Sequence, residues 1–134
     1  MILDGQGGGV GRKIAETLLA ENLNFEYIVV GANAVATSNM MKSGINTGAT
    51  GENAWIYNCA HADIIVGPIG IILANAMHGE ISPKMAFAVA DSPAERVLVP
   101  VPNRHIIIAG AEEKSLTQYL EYVLQFVKAE NAPV

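Results

Sequence analysis

The stretch "MILDGQGGGVGRKIAETLLAEN", residues 1–22, decides how the rest of the chain is read. It opens with a short apolar run, residues 1–4, that suits a buried strand. Five glycines follow within residues 4–12. Beyond them Val10, Ile14 and Leu18, flanked by Ala15 and Leu19, recur at helical spacing. A strand, a glycine turn and a helix over residues 9–22 make the first half of a β-α-β unit. Glycine lets backbone N–H groups approach a ligand closely, and the N-terminus of the following helix favours an anion.

The same alternation continues down the chain. Residues 27–30 form an unbroken apolar run ending in Gly31, and residues 33–42 read as a helix stopped by Ser43-Gly44. "GINTGATGEN", residues 44–53, reads as a second polar, glycine-rich loop, with a helix through Trp55, Ile56, Cys59 and Ala60 behind it. Residues 63–67 predict a strand that turns through Pro68-Ile69-Gly70 into an apolar helix over 70–78. Ser82-Pro83 combines an N-cap with proline at the first helical position and opens a helix to Ala90. Residues 97–101 and 106–109 read as strands joined only by Pro102-Asn103-Arg104, too short a link for a parallel crossover. Ser115 with Gln118 makes a capping box for a final helix with Leu120, Val123 and Val127 on its apolar face.

This pattern predicts one α/β domain over residues 1–134, a three-layer Rossmann-like or flavodoxin-like sandwich. With right-handed crossovers, the five expected strands take the order 2-1-3-4-5, the last antiparallel at an edge. Ligands in such sheets bind beyond the carboxyl ends of the strands where the order changes direction. Here Gly5, Gly7, Gly8, Gly9 and Gly11 would face Gly67, Pro68 and Gly70 across that crevice. Thr47, Thr50, Gly51 and Asn53 could add donors from the second loop, and Asn33 could read a ribose hydroxyl or a base.

The glycine spacing is neither G-x-G-x-x-G nor a P-loop but G-x-x-x-G-x-G, through Gly5, Gly9 and Gly11. In "GQGGGVGRKIAETL" it resembles the nucleotide-binding turn of short-chain dehydrogenases, including an arginine after the last glycine. That resemblance implies a contact from Arg12 to the phosphate of NADP, and NAD or NADP as a cofactor. It covers about fourteen residues and excludes that family's chemistry. Tyr27, Tyr57, Tyr119 and Tyr122 are followed four positions on by Gly31, His61, Val123 and Phe126, so no Tyr-x-x-x-Lys pair exists. No acidic residue closes the second strand, where an NAD ribose would be read.

Over most of its length the chain resembles a small bacterial family built on a domain of unknown function. The segments that carry the likeness are "DGQGGGVG", "GANAVAT", "GATGENA", "ADIIVGPIGIILANAMHGEISPKMA" and "RVLVPV". The resemblance implies a Rossmann-like fold and no particular activity.

Composition bounds the partners. The net charge of −5 and the scattered basic residues argue against a nucleic-acid backbone. The longest apolar run, residues 64–77, is too short to span a membrane and is broken by Gly67, Pro68 and Gly70. A single cysteine and no signal-like N-terminus suit a cytoplasmic protein. Apolar residues make up 51% and charged residues 16%, against roughly 25% charged in ordinary domains. Such a surface suits a homodimer, and equally a sheet covered on both faces.

Three side chains are candidates for chemistry. Asp4 stands at the crevice mouth, either as a ligand group or as a cap on the glycine turn. His78 and Glu80, in "MHGE", are a possible acid and base, but a helix ending at 78 would hold them away from the glycine loops unless a partner subunit supplied them. His61, His78 and His105 lack metal-site spacing, and Cys59 lies on an apolar helical face. The leading expectation is a protein that binds a nucleotide or other phosphate-bearing small molecule. The alternatives are a non-catalytic sensor or interaction module, and a small hydrolase or transferase acting on a phosphorylated metabolite.

Overall fold

In the computed structural model, which describes residues 1–101 and 105–131, the opening segment folds as its pattern requires. Strand β1 (Ile2–Asp4) leads through the glycine turn into α1 (Gly9–Leu19). There follow β2 (Val29–Gly31), α2 (Ala34–Met41), β3 (Gly48–Thr50), α3 (Glu52–Cys59), β4 (Ile64–Pro68), α4 (Pro83–Ala90), β5 (Glu95–Val99) and α5 (Leu116–Glu130). The caps read from the sequence are present. Ser82 accepts from the Met85 amide, and Ser115 and Gln118 form a reciprocal capping box.

The five strands pair in the order β3-β2-β1-β4-β5, and every described pairing is parallel. This corrects the expected order 2-1-3-4-5 with an antiparallel last strand. The order of the four strands around β1 stands, but the fifth lies at the opposite edge. The missed strand is β3, inside what reads as a polar loop. Its register, Val29↔Gly48 to Gly31↔Thr50, comes from the open edge of β2 and not from apolar alternation. Both outer residues of β3 are exposed. The expected strand at 106–109 does not form: Ile106 makes only an isolated bridge and Ile107 is 94% exposed. After β5 the chain instead reaches α5, which packs on β5 and α1. The link 102–104 lies outside the described residues.

The second correction concerns residues 70–78. After β4 the chain makes one 3-10 turn, Ile69–Ile72, and then a compact loop instead of a helix. Asn75, Met77, His78 and Gly79 all have left-handed φ, between 56° and 87°, which an α-helix cannot contain. The loop closes on itself through Asn75 N–H donating to Ile81 O and Ile81 N–H donating to Ala76 O.

Alternation along the strands separates two cores. Ile2, Val29, Val66 and Val99 pack with Ile14, Leu18, Met40, Leu120 and Val123 on the face covered by α1, α2 and α5. Leu3, Val30 and Ile65 pack with Trp55, Cys59, Met85 and Val89 on the face covered by α3 and α4. Trp55 is fully buried, and its indole N–H donates to Met85 O at 3.2 Å, which ties α3 to α4. Both faces of the sheet are thus covered, and the apolar strands need no alternation of polarity.

Gly67 sits where β4 passes β1. A Cβ there would lie 2.5 Å from the Leu3 carbonyl oxygen and 2.9 Å from Ile71 Cδ1. Gly67→Ala is expected to destabilise the fold by about 2–3 kcal/mol, read as a lower urea midpoint at unchanged slope.

Candidate functional site

The site begins with Asp4, the last residue of β1. Its carboxylate is buried, and each oxygen accepts one backbone N–H: Gly5 at 2.7 Å and Gly11 at 2.7 Å. These two bonds fold the turn around one side chain, so the cap reading of Asp4 describes what its oxygens do. Burial pushes the Asp4 carboxyl above the usual carboxylate range, and the two amides hold it back.

Within the turn, Gly8 has φ +71°, and a Cβ on it would lie 2.5 Å from Ala36 O. The close approach of α1 to α2 therefore requires glycine there. Gly5 and Gly11 are pressed against Met77 and Met40. Gly9 differs, since nothing lies within 4 Å of where its Cβ would be. Gly8, the N-cap of α1, offers no side-chain bond, so the first-turn amides of Gly9 and Val10 have no side-chain cap.

Those amides border a cleft of about 770 Å³ at the carboxyl ends of β1 and β4. One wall is the glycine turn, with Asp4, Gln6, Gly9 and Val10. The facing wall is Pro68, Ile69 and Gly70, as the sequence leads one to expect. Ala76, Met77 and His78 close a third side, and Val101 and His105 border the opening. This is the point where the strand order reverses, from β1-β2-β3 on one side to β4-β5 on the other.

His78 is a correction. It reaches the cleft within one chain, because the loop after the 3-10 turn folds back instead of continuing as a helix. The Gln6 N–H donates to Met77 Sδ at 3.3 Å, fastening that loop to the glycine turn. Three non-glycine residues held left-handed beside a cleft represent stored strain of the kind that gathers at binding sites. Glu80 is exposed and does not line the cleft.

The other predicted residues divide into neighbours and outsiders. Arg12 pairs with Glu16 at 2.8 Å and donates to Asn39 Oδ1 at 3.1 Å, on the side of α1 that faces α2 and not in the cleft. Asn33 caps α2 by accepting from Ala36 N–H at 2.9 Å, and its amide reaches Gly5 O at 3.4 Å. It therefore braces the glycine turn from below β2. Thr50 bonds Thr37 at 2.8 Å, and Gly51 N–H donates to Gly31 O. They and the exposed Asn53 sit at the carboxyl end of β3, two strands from the cleft. Thr47 precedes β3 and lies at the opposite end of the sheet, beside Met1 and Ile2. Gly67 serves strand packing against Leu3. The sequence reading passed over Gln6 and Met77 as cleft residues. Gln6 was within reach of it, lying inside the glycine turn; Met77 became visible only when the predicted helix proved to be a loop.

Cys59 is 1% exposed, and burial pushes its thiol up to about 11. Among the described residues no three His, Cys, Asp or Glu side chains converge as metal ligands, and no helix is long and apolar enough to cross a membrane.

Residues 1–132 match the family defined by DUF3842, a domain of unknown function. The chain belongs to the DUF3842 family. No curated protein and no solved structure matches it. The glycine turn, the cleft and the loop of His78 all lie inside the matched span of this DUF3842 domain.

Two outcomes follow from the local chemistry. Asp4→Asn places an N–H donor against a backbone N–H, and is expected to cost about 2 kcal/mol of stability in urea titrations. At pH 7 only about one Cys59 thiol in ten thousand is ionised, so iodoacetamide should leave the native protein unlabelled and modify it once in denaturant.

Proposed function

We propose that this DUF3842 domain binds a nucleotide, or another phosphate-bearing small molecule, in the cleft between β1 and β4. The observation that carries the reading is the first turn of α1, which has no side-chain cap. It opens over the unfilled side of Gly9 into a cleft of about 770 Å³ at the strand-order switch. Backbone amides at a helix start favour a phosphate by hydrogen bonding and by the helix dipole. The imidazole of His78 stands across the same cleft. The order 3-2-1-4-5 with all strands parallel is the arrangement in which Rossmann-type sheets hold nucleotides at this position.

The reading is one of binding, with no reaction assigned. Asp4 already accepts a backbone N–H on each oxygen, which argues against it as a general base. The absence of a Tyr-x-x-x-Lys pair argues against hydride transfer of the short-chain type. NAD and NADP stay in the ligand set because Arg12, although paired with Glu16, is 40% exposed beside the α1–α2 gap.

Purified protein should show a raised Tm with at least one of ATP, ADP, AMP, NAD or NADP. Gly9→Leu should remove that shift while holding stability within about 1 kcal/mol of the parent, since the new side chain enters the cleft and not the core. A full panel without a shift, with phosphate and sulfate also inert, overturns the reading.

A further inference from the structure

The outer face of α4 carries a pattern that the ligand cleft does not use. Its inner face, Met85, Ala86 and Val89, is buried against the sheet. On its outer face Phe87 is 67% exposed, and it borders an apolar groove of about 540 Å³ walled by Ile56, Ala60, Pro83 and Pro93. A phenylalanine on the solvent side of a helix, beside a groove of this size, is a surface that lacks a cover.

The charges on the same face say what the cover is. Lys84 and Asp91 both border the groove, both are exposed, and neither takes part in an ion pair among the described residues. They stand seven residues apart, two helical turns or about 10.5 Å, with Phe87 between them. Two copies of α4 laid antiparallel about a two-fold axis beside Phe87 set each Lys84 opposite the other copy's Asp91. The same axis carries each Phe87 over the partner's groove. A parallel arrangement would oppose like charges, so the pattern selects the antiparallel one. An isologous interface must be self-complementary in this way, whereas a foreign partner has no need of it.

We infer that the α3–α4 face joins two copies of this chain in a symmetric homodimer, with Phe87 at the two-fold axis and reciprocal Lys84–Asp91 pairs flanking it. The low charged fraction of the chain, 16%, is in keeping with a face withdrawn from water. The cleft between β1 and β4 lies on different residues, so the inference stands apart from the ligand reading.

Sedimentation equilibrium of the full chain tests it, with the reciprocal exchange as the decisive arm. The parent protein should sediment as a dimer. Lys84→Asp and Asp91→Lys should each raise the dimer dissociation constant at least about tenfold, because every reversal creates two like-charge pairs by symmetry. The double variant should recover most of that loss, and the single-variant defect should shrink in 1 M salt. Phe87→Glu should be monomeric. All the substituted side chains are exposed, and circular dichroism checks that each variant is folded. A monomeric parent at about 100 μM, or a dimer indifferent to both reversals, overturns the inference.

Discussion

The carboxylate of Asp4 is the joint on which the site depends. It ends β1 in the middle of the sheet and receives an N–H from each end of the glycine turn, Gly5 and Gly11. A charged group buried without hydrogen bonds would be costly. Here the cost of burial is offset by two short bonds to amides that would themselves be unpaired. One side chain thereby sets where α1 starts, and with it the direction in which the amides of Gly9 and Val10 point. The close contact of Gly8 with Ala36 and the brace from Asn33 to Gly5 then lock the turn against α2.

The facing wall of the cleft is built by a different constraint. Gly67 lets β4 pass close to Leu3, and the chain then leaves the sheet through Pro68 and a single 3-10 turn. Instead of rising into a long crossover helix it folds back, with three non-glycine residues in left-handed conformation. The bond from Gln6 N–H to Met77 Sδ joins this loop to the glycine turn. The cleft is thus closed on one side by a strained loop and on the other by a helix start, a pairing suited to gripping an anion while reading its surroundings.

Much of this was legible from residue order. The strand, glycine turn and helix at residues 1–22, the caps at Ser82 and Ser115, and the meeting of the two glycine turns follow from local pattern. Patterning fails where an element is made by its neighbour. Gly48–Thr50 has no apolar alternation and is a strand because β2 offers it an open edge. Residues 106–109 are strongly apolar and form no strand, because α5 and not a further strand follows β5 in the packing. The helix expected over 70–78 fails for another reason: its apolar spacing is helical, but the loop bonds of Asn75 and Ile81 impose left-handed backbone.

Sequence alone determined the class of fold, the covered parallel sheet and the position of the glycine cradle, because these rest on periodicity, capping and the steric freedom of glycine. Tertiary structure decided which edge β3 occupies, that Arg12 and Thr47 stand outside the cleft, and that His78 stands inside it. Those outcomes depend on contacts between residues far apart in the chain, such as Gln6 with Met77, and such contacts leave no local signature in the order of residues.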